Sequence, residues 1–122
     1  MATQHVNPHG AISEEIEANF DTFVERINEN QAEHYRTKFP TLSPEHVVVA
    51  PGRVYWKLIR QQIEGSGQRT VYGFVRKVDG AIFKAAGWSA PFVKGPTAIR
   101  GYVTDEGNGM DAATTYGIRY AR

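Results

Sequence analysis

Two β-type runs meet at Asp79-Gly80 inside the stretch Arg69 to Trp88, RTVYGFVRKVDGAIFKAAGW, and this junction constrains the fold more than any other part of the chain. An Asp-Gly pair flanked by β-branched and aromatic residues is among the strongest short-range hairpin signals. With Asp79 and Gly80 as a two-residue loop, Val78 pairs with Ala81 and the register of both strands follows. One face of the ribbon then carries Tyr72, Phe74, Arg76 and Val78 with Ala81, Phe83 and Ala85. The other carries Val71, Gly73, Val75 and Lys77 with Ile82, Lys84, Ala86 and Trp88. The first face is the more apolar and is predicted to pack on a helix.

That helix lies upstream. Ser13 is a good N-cap, and Glu14, Glu15 and Glu17 place negative charge at the positive end of the helix dipole. Ile16, Phe20, Phe23, Val24 and Ile27 recur at helical spacing and form one apolar stripe, continued loosely by Tyr35. Glu25, Glu29 and Glu33 line a polar, solvated face. Pro40 disfavours helical geometry at Phe39, so the spacing predicts a helix over 13–37. Thr41 to Glu45 reads as a connector, in which Ser43-Pro44 suits the start of a single helical turn. Two further β-type runs follow, Val47 to Ala50 and Arg53 to Ile63, separated by a Pro51-Gly52 turn. Glu64 to Gln68 is a flexible loop. Pro91 ends the hairpin, because proline cannot continue a central strand. Thr97 to Val103 reads as a short helical turn or a strand, with the turn or helix start preferred, and Tyr116 to Tyr120 as a closing edge strand or docked tail.

The length of 122 residues suits one domain able to bury a core without staples. We expect a disordered tail over 1–10 and a single domain over 11–122. The absence of cysteine excludes a disulfide framework, a thiolate metal site and a cysteine nucleophile, and it fits a reducing compartment. No apolar run approaches the ~20 residues of a membrane helix, and the first ten residues lack the pattern of a signal peptide. Net charge is +1, yet it is unevenly spread. Residues 1–50 carry three basic and eight acidic side chains, a balance of −5, whereas residues 51–122 carry eleven and five, a balance of +6. The two halves can neutralise each other within the fold, or the rear half can meet an anionic partner.

The run before the hairpin splits into Val54, Trp56 and Leu58 on one side and Tyr55, Lys57 and Ile59 on the other. Joining like with like gives a second surface holding Tyr55, Lys57, Lys77, Lys84 and Trp88, our candidate binding face. Aromatic rings between lysines suit single-stranded nucleic acid, since bases stack at ~1–3 kcal/mol each while cations track the phosphates. Half-exposed sheet faces with snorkelling lysines, or faces buried in a homodimer, have the same composition.

Other motifs do not survive their spacing. Tyr72-Gly73-Phe74-Val75 echoes the centre of an RNA-recognition strand, but Thr70-Val71 and Lys77 stand where its flanking residues should be, and no helix follows the first long strand. Asp105 to Asp111 is acidic and glycine-rich without the spacing of a calcium loop, so it reads as a turn. His5, His9, His34 and His46 form no zinc-type pair. No nucleophile with its base, phosphate loop or dinucleotide fingerprint occurs; no catalytic residue, cofactor or metal is implied.

From Pro51 onward the chain resembles small uncharacterised proteins of tailed bacteriophages. The likeness runs through Gly52-Arg53-Val54-Tyr55, Lys57-Leu58-Ile59, Arg69-Thr70-Val71-Tyr72 and Phe74-Val75. It continues through Asp79 to Trp88, Ala90-Pro91, Arg100-Gly101 and Tyr116-Gly117-Ile118-Arg119-Tyr120, with Lys84-Ala85-Ala86-Gly87-Trp88 the most specific piece. Phe92 to Thr97 departs from it as a longer link. The resemblance implies a protein working in the cytoplasm of an infected bacterium and supplies no catalytic residues.

The expected architecture is α+β: an N-terminal amphipathic helix on a three- to five-stranded antiparallel sheet, closed by an irregular C-terminal segment; a helix wrapped by a curved, cystatin-like sheet is the alternative. The expected function is a non-enzymatic accessory binding protein of unknown partner. A single-stranded nucleic-acid binder, a homodimer through a sheet edge or the basic face, and a small-molecule-binding or enzymatic domain are the alternatives. The last would use a helix–sheet pocket lined by Tyr72, Trp56 and a titratable residue.

Overall fold

The computed structural model describes residues 13–63 and 68–119. The expected N-terminal tail and the centre of the Glu64 to Gln68 loop lie outside them. Helix α1 (Glu14–Lys38) precedes strands β1 (Glu45–Pro51), β2 (Tyr55–Gln62), β3 (Thr70–Arg76), β4 (Ala81–Phe83) and β5 (Ile99–Tyr102), followed by a short 3-10 helix at Met110–Ala112. The strands form one antiparallel sheet in sequence order, with α1 across one face. The class is α+β, as expected.

Local chemistry sets the ends of α1. Ser13 Oγ accepts the Ile16 N–H at 3.0 Å, and three glutamates occupy the first turn. At the far end the Phe39 N–H donates to the Tyr35 carbonyl, Arg36 and Lys38 sit near the negative end of the dipole, and Pro40 stops propagation. The stripe Phe20, Phe23 and Ile27 is buried, and it continues into Gln31. The connector turns without a helix, and β1 starts at Glu45.

The hairpin differs from expectation in its turn. Val75 pairs with Ile82 and Phe74 with Phe83, so the loop holds four residues, Lys77 to Gly80, and Val78 does not pair with Ala81. Side-chain bonding explains the longer turn. Arg76 donates to both Asp79 oxygens at 3.0 and 2.8 Å, Asp79 Oδ1 also accepts the Ala81 N–H, and the Gly80 N–H closes onto the Arg76 carbonyl. Gly80 has φ +78°, and a Cβ there would meet Val103 Cγ2 at 2.8 Å, so glycine is required.

The packing face also differs. Trp56, Leu58, Val75 and Ile82 meet Phe20, Phe23 and Ile27 of α1, while Phe74 and Phe83 lie on the opposite face with Ala81 and Ala98. Both ribbon faces are apolar enough to be buried, so composition alone does not rank them. The helix-distal face is closed over by Tyr55, Val71, Ala85, Ala98 and Tyr102. Tyr72 reaches the helix side because the pairing shifts between Leu58 and Ile59, a bulge that lets Tyr72 join Val75 on one face. Residues 97–103 hold a strand, β5, rather than a helix start, since β4 offers its free edge to Ile99–Tyr102.

The C-terminal segment docks without becoming a strand. The Ile118 N–H donates to the Tyr72 carbonyl at 3.2 Å, the Arg119 N–H to the Ala112 carbonyl at 2.7 Å, and Ile118 is buried over Gly73. Both sheet edges are guarded by side chains. Asn28 of α1 accepts the outward Val47 N–H at 2.7 Å and donates to the Val47 carbonyl at 3.0 Å, acting as a one-residue substitute strand along β1. On β5, Asp105 accepts the Tyr102 N–H at 3.0 Å. Satisfying outward backbone groups this way blunts a sheet edge against pairing with another chain.

Candidate functional site

The helix-distal face gathers charge around one ring. Lys57 on β2 stands opposite Phe74, so its side chain leaves the sheet away from α1. The chain after β4 folds back as a small loop, with Ala85 bridged to Pro91 and the Ala86 N–H on the Ala90 carbonyl. The loop carries Trp88 onto this face. The Lys57 ammonium lies 3.6 Å from the Trp88 ring centre, and the Arg69 guanidinium lies 5.7 Å from the same ring. Trp88 is still 48% exposed. Desolvation holds the Lys57 pKa below the ordinary lysine value, and the neighbouring Arg69 charge lowers it further. Among the described residues no carboxylate forms an ion pair with either cation.

The expected surface is therefore divided. Lys57 and Trp88 come together, and Tyr55 shares their side of the sheet. The Tyr55 ring is taken up by edge contacts to Phe74 at 6.0 Å and Phe83 at 5.8 Å, so it is half-buried rather than a free platform. Lys77 goes elsewhere. It opens the hairpin loop and lies 5.7 Å from the ring of Trp56, which faces α1 and stacks on Phe20 at 4.0 Å. Lys84 lines a separate cleft of about 610 Å³ with Ala85, Phe92, Val93, Lys94 and Arg100. Assigning β2 to the wrong face of the ribbon produced the mixed set, because Tyr55 and Lys57 accompany Phe74 and Phe83, not Val75 and Ile82.

Arg69 was absent from the expected site although it completes it. Its position one residue before β3 was readable, but its approach to Trp88 depends on the later loop folding back. Arg76, 5.1 Å from the Phe83 ring, adds a third cation to this face, though its charge is committed to Asp79.

A second concavity, of about 380 Å³, lies between the last turns of α1 and the C-terminal segment. Tyr72 is on its wall and donates its hydroxyl hydrogen bond to the Thr114 carbonyl; burial pushes the phenol pKa far above its ordinary value. Trp56 is not part of this wall, being stacked on Phe20. Of the residues named for a helix–sheet pocket, only Tyr72 lines this concavity, which α1 and the C-terminal segment enclose with His34 on its wall.

No group of three or more His, Asp or Glu side chains that could hold a metal ion occurs among the described residues, and no described helix is long and apolar enough to cross a membrane. Comparison with known families matches residues 3–110 to one profile, described as a family of unknown function (DUF7717). No curated protein and no solved structure matches.

Proposed function

Because this chain belongs to DUF7717, a family whose description assigns no activity, we propose a function from the geometry: a non-enzymatic accessory binding protein that holds single-stranded nucleic acid on its helix-distal face. The observation that carries this reading is the half-exposed Trp88 ring flanked by Lys57 and Arg69. Two like charges close enough to depress the Lys57 pKa repel each other, and a phosphate between them converts that repulsion into attraction. A base stacked on the open side of the Trp88 ring adds ~1–3 kcal/mol irrespective of its identity. The bacteriophage resemblance supports an infected bacterial cytoplasm as the setting. The side chains guarding both sheet edges argue against edge-to-edge pairing of two copies.

Fluorescence anisotropy with a labelled single-stranded oligonucleotide, titrated at low and high salt, tests the proposal. Two phosphate contacts give a slope of log K against log salt of about −1.4. Trp88→Ala should weaken binding about tenfold, the lower half of the stacking range, and Lys57→Ala with Arg69→Ala should flatten the salt dependence. Absence of binding at low salt, or binding unchanged in the triple variant, refutes it.

A further inference from the structure

The apolar stripe of α1 changes character in its last turns. Phe20, Phe23 and Ile27 are buried hydrophobes, and the next position on the same stripe is Gln31, only 1% exposed. One turn further comes His34. Both line the cavity of about 380 Å³ between α1 and the C-terminal segment. Gln31 Nε2 donates to the Thr115 carbonyl, but Gln31 Oε1 is buried with no donor, and His34 Nε2 is buried with no partner. Buried side-chain polar atoms are rarely left unpaired, since each loses its hydrogen bonds to water without replacement, at a cost to the fold. A leucine at position 31 would avoid that cost and extend the core. Two orphaned atoms in the wall of one cavity, on successive turns of one helix, indicate a structure arranged for a guest.

The walls specify its chemistry. Ile27, Met110, Ala113 and the Tyr72 ring provide an apolar side, Asn30, Thr37, Thr114 and Thr115 provide neutral amides and hydroxyls, and the carboxylate on the wall, Glu33, is ion-paired with Arg36. The volume is at the small end of ligand pockets, which run ~300–1,000 Å³. The geometry points to a binding site for a small neutral ring compound that carries N–H or O–H donors around an apolar face, of the size of a nucleoside or a monosaccharide. The Gln31 amide is its specificity determinant: it turns from the Thr115 carbonyl, and Oε1 accepts a donor of the ligand while His34 Nε2 takes a second polar group. This site is separate from the Trp88 face and stands whether or not that face binds nucleic acid.

Protein NMR on the full chain tests the inference, with two panels of probes: the common ribonucleosides, and glucose, galactose and N-acetylglucosamine. Each is titrated to about 10 mM, ten times the ~1 mM Kd that corresponds to only about −4 kcal/mol. A member of one panel should shift the Gln31 side-chain amide and the Thr115 backbone signals, and the panel that responds identifies the source. Gln31→Met preserves size and removes both amide functions; it should abolish the shifts while the protein stays folded. Trp88→Ala should leave them intact. If no probe moves the Gln31 amide, or if the Thr115 shifts persist in Gln31→Met, the assignment is wrong. Shifts that vanish in Trp88→Ala instead of Gln31→Met place the ring on the distal face and equally overturn it.

Discussion

Adding one methyl group at Gly73 probes how the C-terminal segment is tied to the sheet. Gly73 is buried in the middle of β3, opposite Leu58. Its φ is not positive, so alanine meets no backbone penalty there. The obstacle is steric: a Cβ would lie 2.4 Å from Ile118 Cγ1 and 3.1 Å from the Phe83 carbonyl oxygen. Overpacking of this kind costs ~1–3 kcal/mol. Ile118 is 4% exposed, and Ile118→Ala alone should cost ~2–4 kcal/mol through the cavity it leaves. In the double variant the new methyl occupies part of that cavity, so the two costs should fall short of their sum by about 1–2 kcal/mol. The rescue is partial, because the Phe83 carbonyl remains tight against the methyl. Urea denaturation with unchanged m-value reads the effect, with Gly73→Ala lowering the midpoint by roughly 1 M. Additivity within ~0.5 kcal/mol, or a neutral Gly73→Ala, would refute the packing of Ile118 over Gly73.

Asn28→Ala removes both side-chain bonds to Val47 and exposes that stretch of the β1 edge; it should destabilise by ~1–2 kcal/mol and raise thioflavin-positive aggregation on prolonged incubation. Unchanged stability together with unchanged aggregation would remove the edge-guard role. Asp79 has its folded pKa held below 3.8, first by the Arg76 hydrogen bonds and, among other causes, by the Ala81 N–H, against a smaller upward push from partial burial. A depressed carboxylate stabilises the fold above its unfolded pKa and loses that contribution as pH falls through the folded value. The stability difference between wild type and Asp79→Asn should therefore be constant near neutrality and shrink as pH falls through the ordinary carboxylate range and below it in urea titrations. A difference that widens on acidification contradicts the assignment.

The sequence-readable part of this protein is the part written in short-range chemistry. Ser13 and Pro40 bracket α1, the 3–4 spacing of Phe20, Phe23 and Ile27 marks its buried stripe, and Asp79-Gly80 marks the hairpin. A four-residue loop in place of a two-residue one shifted the strand partners by two positions, which keeps Phe74, Ala81 and Phe83 on one face and Val75 and Ile82 on the other, as alternation predicts, while Val71 and Tyr72 beyond the bulge change sides. The burial of Gln31 and of His34 Nε2 beyond the end of the apolar stripe was not read from the sequence, because it depends on the C-terminal segment that closes over them. Three matters lay beyond any local reading. Which ribbon face meets α1 depended on what else was available to cover Phe74 and Phe83, and that cover comes from residues as distant as Ala98 and Tyr102. The side taken by Tyr72 depended on a bulge opposite Leu58 and Ile59. The meeting of Lys57, Arg69 and Trp88 depended on the loop after β4 folding back across the sheet.

The chain by itself determined where its helix begins and ends, where its strands turn, and that it would be an α+β protein, because caps, prolines and side-chain periodicity act over a few residues. Only the tertiary structure decided which cations share a ring and which polar atoms are left without partners. Those outcomes depend on which of two apolar faces each segment covers, a competition among surfaces brought together from across the chain.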